Sequence, residues 1–153
     1  MLRIIANLCL ILLIASCAST EKHTMQDSAV GNYKYDAWSP DTSGEYEAIN
    51  ELLDEIDILI ENQAFEAASD KLERVLRIKP QYAPAWSRLS WLALQMNTAK
   101  RAVQMAKRSN SFAYSDPQLQ LLNWSFIRDA SEILHDEEAY HRANQKIESL
   151  KAF

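Results

Sequence analysis

The sequence predicts an all-α chain in which about six helices stack as consecutive hairpins, a solenoid of two to three repeats over residues 45–153. Three observations carry this. Leu52, Ala68, Leu72 and Pro80 are answered 34 residues later by Trp86, Ala102, Ala106 and Tyr114. A period of that length is one helix pair per repeat, and each pair buries its apolar face only by stacking on the next. The 153 residues include only 2 Gly and 4 Pro, which disfavours a turn-rich β fold. From Tyr46 to Leu150 the apolar residues recur at three- and four-residue steps, as one helical face requires.

Each helix is marked in turn. Thr42-Ser43-Gly44-Glu45 has the pattern of a capping box, with Thr42 placed to cap and Glu45 to reach back. Tyr46, Ile49, Leu53, Ile56 and Ile60 then form the first apolar stripe, and Asn62-Gln63 turns into a second helix carried by Phe65, Ala68, Leu72, Val75 and Leu76. Pro80 ends it, because the residue before a proline is pushed out of the α region. Pro84 suits the first turn of a third helix, where its missing N–H costs nothing, and Trp86, Leu89, Ala93 and Met96 give that helix its buried face. Asn97 or Thr98 is placed to cap a fourth helix whose Ala102, Val103 and Ala106 allow two backbones to approach closely. Ser115-Asp116-Pro117 opens a fifth, with Leu119, Leu122, Phe126, Ala130 and Ile133. Asp136 caps a sixth containing Ala139, Ala143, Ile147 and Leu150, although Ala139 arrives about four residues late for the repeat.

The run from Phe65 through Ala68 and Leu72 to Pro80 resembles the second helix of a tetratricopeptide repeat. There an aromatic residue, a small Ala, a bulky apolar residue and a closing Pro recur at these spacings. Ala85-Trp86-Ser87-Arg88-Leu89-Ser90 resembles the opening of the next repeat. The resemblance covers most of 45–150 and is specific from about 64 to 110. The first repeat lacks the Trp, and Ile56 stands where a small residue is usual, which implies looser packing between its two helices or a different crossing angle.

The N-terminus belongs to targeting rather than to the fold. Met1-Leu2-Arg3 is a short positive region, and Ile4 to Ile14 is an apolar run of 11 residues, whereas a bilayer-spanning helix needs about 20. The run ends in Ile14-Ala15-Ser16-Cys17, which resembles a bacterial lipobox. The resemblance implies a signal peptide of residues 1–16, cleavage before Cys17 and lipidation of that residue. Cys9 leaves with the leader, so the mature chain keeps no thiol for a disulfide and depends on its core for stability. Ala18 rather than Asp follows Cys17, which by the family's sorting rule implies the outer membrane, on its periplasmic face. Residues 17–44, rich in Ser, Thr, Asp and Gly, read as the lipidated Cys and a flexible tether. Tyr33, Tyr35 and Trp38 form an aromatic cluster able to dock on the domain.

No catalytic constellation is present. His23, His135 and His141 are scattered, and the six-residue step between the last two does not suit metal ligation on a helix. No Gly-rich phosphate loop or nucleophile elbow occurs, so the sequence predicts neither an enzyme nor a cofactor or metal site. The net charge of −5, on a chain expected to leave the cytoplasm, gives no case for nucleic acid. Charge is nonetheless segregated. From Glu45 to Asp70 there are nine acidic residues and no basic one. From Lys79 to Ser115 there are six basic residues and no acidic one, among them a basic patch of Lys100, Arg101, Lys107 and Arg108. This segregation either holds neighbouring repeats together or orients a partner.

Tetratricopeptide folds usually bind in a concave groove lined by the first helix of each repeat. That implies a partner surface of Asp57 and Ile60, then Arg88, Trp91, Leu94 and Gln95, then Trp124, Ile127 and Arg128. Trp91 and Trp124, 33 residues apart, hold matching places, and Trp beside Arg is the composition of a binding hot spot. The alternative is that both Trp pack as core. The layout of lipobox, tether and short helical domain resembles the LpoP-type activators of class A penicillin-binding proteins. The implied function is an adaptor that activates peptidoglycan synthesis by docking on such a synthase. Two alternatives share the scaffold: a pilotin or assembly factor for a secretin or barrel-assembly complex, and a direct binder of the cell wall.

Overall fold

The computed structural model describes residues 36–38 and 47–152. The leader, Cys17, the capping box at 42–45 and the aromatics Tyr33 and Tyr35 lie outside the described residues. Within them the chain is all-helical, with no strand. A single 3-10 turn, Asp36–Trp38, precedes α1 (Glu47–Glu61), α2 (Phe65–Ile78), α3 (Ala83–Gln95), α4 (Ala99–Asn110), α5 (Pro117–Ile133) and α6 (Glu137–Lys151).

The start signals work largely as the sequence implies. Pro117 opens α5, where the Asp116 carboxylate accepts the Leu119 N–H at 2.9 Å. Asp136 does the same for Ala139 at the start of α6, also at 2.9 Å. Such caps satisfy donors that have no partner inside the helix. Thr98 is an exception. Its hydroxyl donates back to the Ala93 carbonyl at 2.9 Å, tying down the end of α3 instead of capping α4.

One loop is built three times. α1–α2, α3–α4 and α5–α6 are each joined by three residues, and the middle one, Gln63, Asn97 or His135, has φ of 57°, 55° or 54°. In each loop the middle N–H bonds the carbonyl three residues back, and the next N–H bonds the one five back (Ala64 to Leu59, Thr98 to Ala93, Asp136 to Ser131). This is the left-handed helix stop usually given to Gly, and it turns the chain directly into an antiparallel neighbour.

Each helix packs on the next, and α3 also meets α5. The register shows in two buried bonds between α3 and α4. Ser90 Oγ donates to the Ala102 carbonyl and Ser109 Oγ to the Ala83 carbonyl, both at 2.8 Å, so the partners advance along one helix as they retreat along the other. Ala102 and Ala106 are fully buried at this contact, as close approach of two backbones requires. One apolar cluster runs continuously from Trp38 through Ile56, Leu72, Leu89 and Phe126 to Ala143.

The late Ala139 has a simple cause. α5 has 17 residues where α3 has 13, so the third hairpin carries one additional turn. Of the residues expected in the core, Ile133 is 49% exposed, and Phe65, Trp86, Met96, Val103, Ala139 and Leu150 are only half-buried. Buried polar residues that periodicity did not single out, Ser87, Ser90, Ser109 and Asn123, sit between helices instead.

Candidate docking groove

The face expected to receive a partner is already filled. Trp38, inside the segment read as tether, is 2% exposed. Its ring meets Trp91 edge-on at 6.3 Å and Phe126 at 6.0 Å. Arg88, itself 4% exposed, stacks on the Trp38 ring at 5.6 Å, donates to the Trp38 carbonyl at 3.1 Å and pairs with Asp57 at 3.0 Å. The tether reading therefore needs correcting at 36–38, where the chain is held against α3 and α5. Ile60, Trp91, Leu94 and Ile127 are buried and belong to the core rather than to an open concave wall. Asp57 and Gln95 are half-buried, and Arg128 lies along its neighbour Asp129, donating at 2.9 and 2.7 Å.

The two matched tryptophans separate. Trp91 is sealed on its other edge by Phe65, the first residue of α2, at 6.0 Å. The equivalent first residue of α4 is Ala99, which has no ring to offer, and Trp124 remains half-exposed. Trp124 lies in a groove of about 830 Å³ whose floor is α5 and whose walls are α4 and α6. The backbones of the two walls do not approach each other. Val103 from α4, Trp124 from α5 and Leu134 beyond it supply the accessible apolar surface, with Ile127 buried beneath them. A volume of this size suits a bulky side-chain cluster or a short helical segment.

Charge concentrates on the walls. Lys100 and Lys107 face the groove from α4, and Arg142 and Lys146 face it from α6, against one carboxylate, Asp136. Asp136 is already engaged in capping α6. Among the described residues Lys100, Lys107 and Lys146 form no ion pair, whereas Arg142 pairs with Glu138 on its own helix. The rest of the basic patch is structural. Arg101 reaches α2, bonding Ser69 at 3.2 Å and Glu73 at 3.1 Å. Arg108 stacks on Trp86 at 5.8 Å and Phe112 at 4.6 Å. Charge segregation thus holds neighbouring hairpins together in part: Arg88 and Arg101 tie the second hairpin to the acidic first one, and Lys100 and Lys107 line the groove instead.

Among the described residues no helix is long and apolar enough to cross a membrane, and no group of three or more His, Cys, Asp or Glu could hold a metal. Comparison with known proteins finds no family model, no curated protein and no solved structure that matches the chain.

Proposed function

We propose that the chain is a tetratricopeptide-type docking module, lipid-anchored at Cys17 in the outer membrane, that binds another envelope protein through the groove between α4 and α6. The observation that carries this is the half-buried Trp124, which lines a groove between two cationic walls, while the neighbouring concave face is occupied by Trp38. The periodic hairpins and the thrice-built loop support the repeat reading. Activation of a class A penicillin-binding protein is the specific reading that the layout of lipobox, tether and helical domain favours. The domain would act by binding one state of the synthase more tightly than the other.

The reach of the module follows from where it is pinned. Cys17 lies 21 positions before Trp38, a span of at most about 75 Å. A tether running free to Gly44 would extend to roughly 90 Å. The test is the glycan-polymerising rate of a purified class A synthase with the full chain added. The expected result is a higher rate that Trp124→Glu abolishes. An unchanged rate, with no binding by sedimentation, would refute the synthase as partner.

A further inference from the structure

We infer that the segment entering this groove is an amphipathic helix bearing carboxylates on both flanks of an apolar stripe. The inference rests on the docking reading and specifies the chemistry of its partner. Lys100 and Lys107 lie seven residues apart on one face of α4, so their stems are separated by about 10.5 Å along the axis. A helix lying alongside α4 meets both lysines with acidic residues at positions i and i+7. Arg142 and Lys146, four residues apart on the opposite wall, stand about 6 Å apart and match an i, i+4 acidic pair on the other flank.

The floor sets the remaining face. Val103, Trp124 and Leu134 offer apolar surface between the walls, so the occupant needs Leu, Ile or Met between its two acidic rows. A strand fits less well, because its side chains alternate at about 3.3 Å per residue and cannot place two flanking rows around one continuous stripe. A wholly apolar helix would leave three unpaired lysines facing it and being stripped of water at the groove rim. The acidic helix satisfies both floor and walls.

The test uses the full chain in detergent and three synthetic helical peptides of the same length with an identical Leu stripe. One carries Glu on both flanks at the spacings above, one carries Gln and one carries Lys. Fluorescence anisotropy of the labelled peptides should show the Glu peptide binding at least about tenfold more tightly than the Gln peptide, as several rim pairs would give. The advantage should shrink as salt rises, and the Lys peptide should not bind. Lys100→Glu with Lys107→Glu should remove the preference, whereas Arg77→Glu, at an exposed position of α2, should preserve it. Equal binding of the Glu and Gln peptides, or binding by neither, overturns the inference.

The chain's own α1 carries Glu47, Asp54 and Glu61 at seven-residue steps beside exposed Ile58. Self-association abolished by the lysine reversals would therefore keep the helix chemistry but make the occupant a second copy, overturning the docking on another envelope protein. Photocrosslinking in cells from Gln104, an exposed residue on the groove wall, separates the two levels. Capture of a class A synthase without any preference for the Glu peptide refutes the helix chemistry alone. Preference for the Glu peptide without such capture refutes the synthase.

Discussion

Gln63, Asn97 and His135 each hold a left-handed conformation that costs a side-chain-bearing residue about 1–2 kcal/mol. Glycine is spared that cost but loses more chain entropy on folding. His135→Gly should therefore raise stability by about 0.5–1 kcal/mol, read as a shift in denaturant midpoint without a change in slope. An unchanged or lower midpoint would mean that the His135 side chain contributes more than its backbone loses. Trp38 is the opposite case, a large ring in van der Waals contact with Trp91 and Phe126. Trp38→Ala should cost about 3–5 kcal/mol if the 3-10 turn unfolds with the domain. A loss below about 1 kcal/mol would show that the turn undocks as a separable unit, and hydrogen exchange at α3 would then distinguish the two.

At the scale of elements, the α3–α4 contact is a close joint, with Ala102 and Ala106 fully buried in it. Ala102→Leu should cost about 1–3 kcal/mol through overpacking and should displace the Ala102 carbonyl from Ser90 Oγ. The joint between α1 and α2 depends partly on the exposed pair of Glu55 with Lys71. The hydrogen bond and charge of Lys71 hold the Glu55 carboxyl below its ordinary value. A depressed folded-state value means that the contribution is full above the ordinary carboxylate range and is lost as pH falls through the folded one. Glu55→Gln should therefore lower stability slightly at neutral pH, and its denaturant midpoint should converge with that of the unsubstituted chain in strong acid. A difference that persists at low pH would assign the effect to packing. The additional turn of α5 belongs to this scale too. It lengthens the floor beneath α4 and α6 and carries Leu134 to the groove's rim.

For the whole molecule the prediction concerns salt and charge. Binding through the groove should weaken with ionic strength, because Lys100, Lys107 and Lys146 are outside any ion pair among the described residues. Arg101→Ala should instead lower stability by up to about 1 kcal/mol while leaving binding intact, since its partners Ser69 and Glu73 are internal to the domain. Loss of partner binding in that variant, with the fold preserved by circular dichroism, would place Arg101 in the docking surface.

Helix number, helix ends and the pairing of neighbours were legible in the residues themselves. Periodicity, proline punctuation and the Asp116 and Asp136 caps are local signals, and local hydrogen bonding acts on them directly. The concave wall was not legible in the same way. Matching Trp91 with Trp124 by position treats both as equals, yet one is sealed by Phe65 and Trp38 and the other is left open above Ala99. The burial of Trp38 is a long-range event, decided by a pocket assembled from α3 and α5 and by Arg88 reaching across 50 residues. Lys100 and Lys107 likewise read as part of one basic run with Arg101 and Arg108 until Arg101 paired with Glu73 and Arg108 stacked on Trp86 and Phe112. The amino-acid order alone determined a stack of hairpins with segregated charge. Which face stays open was decided only when distant side chains competed for the same space, because burial is a property of neighbours in three dimensions and not of neighbours along the chain.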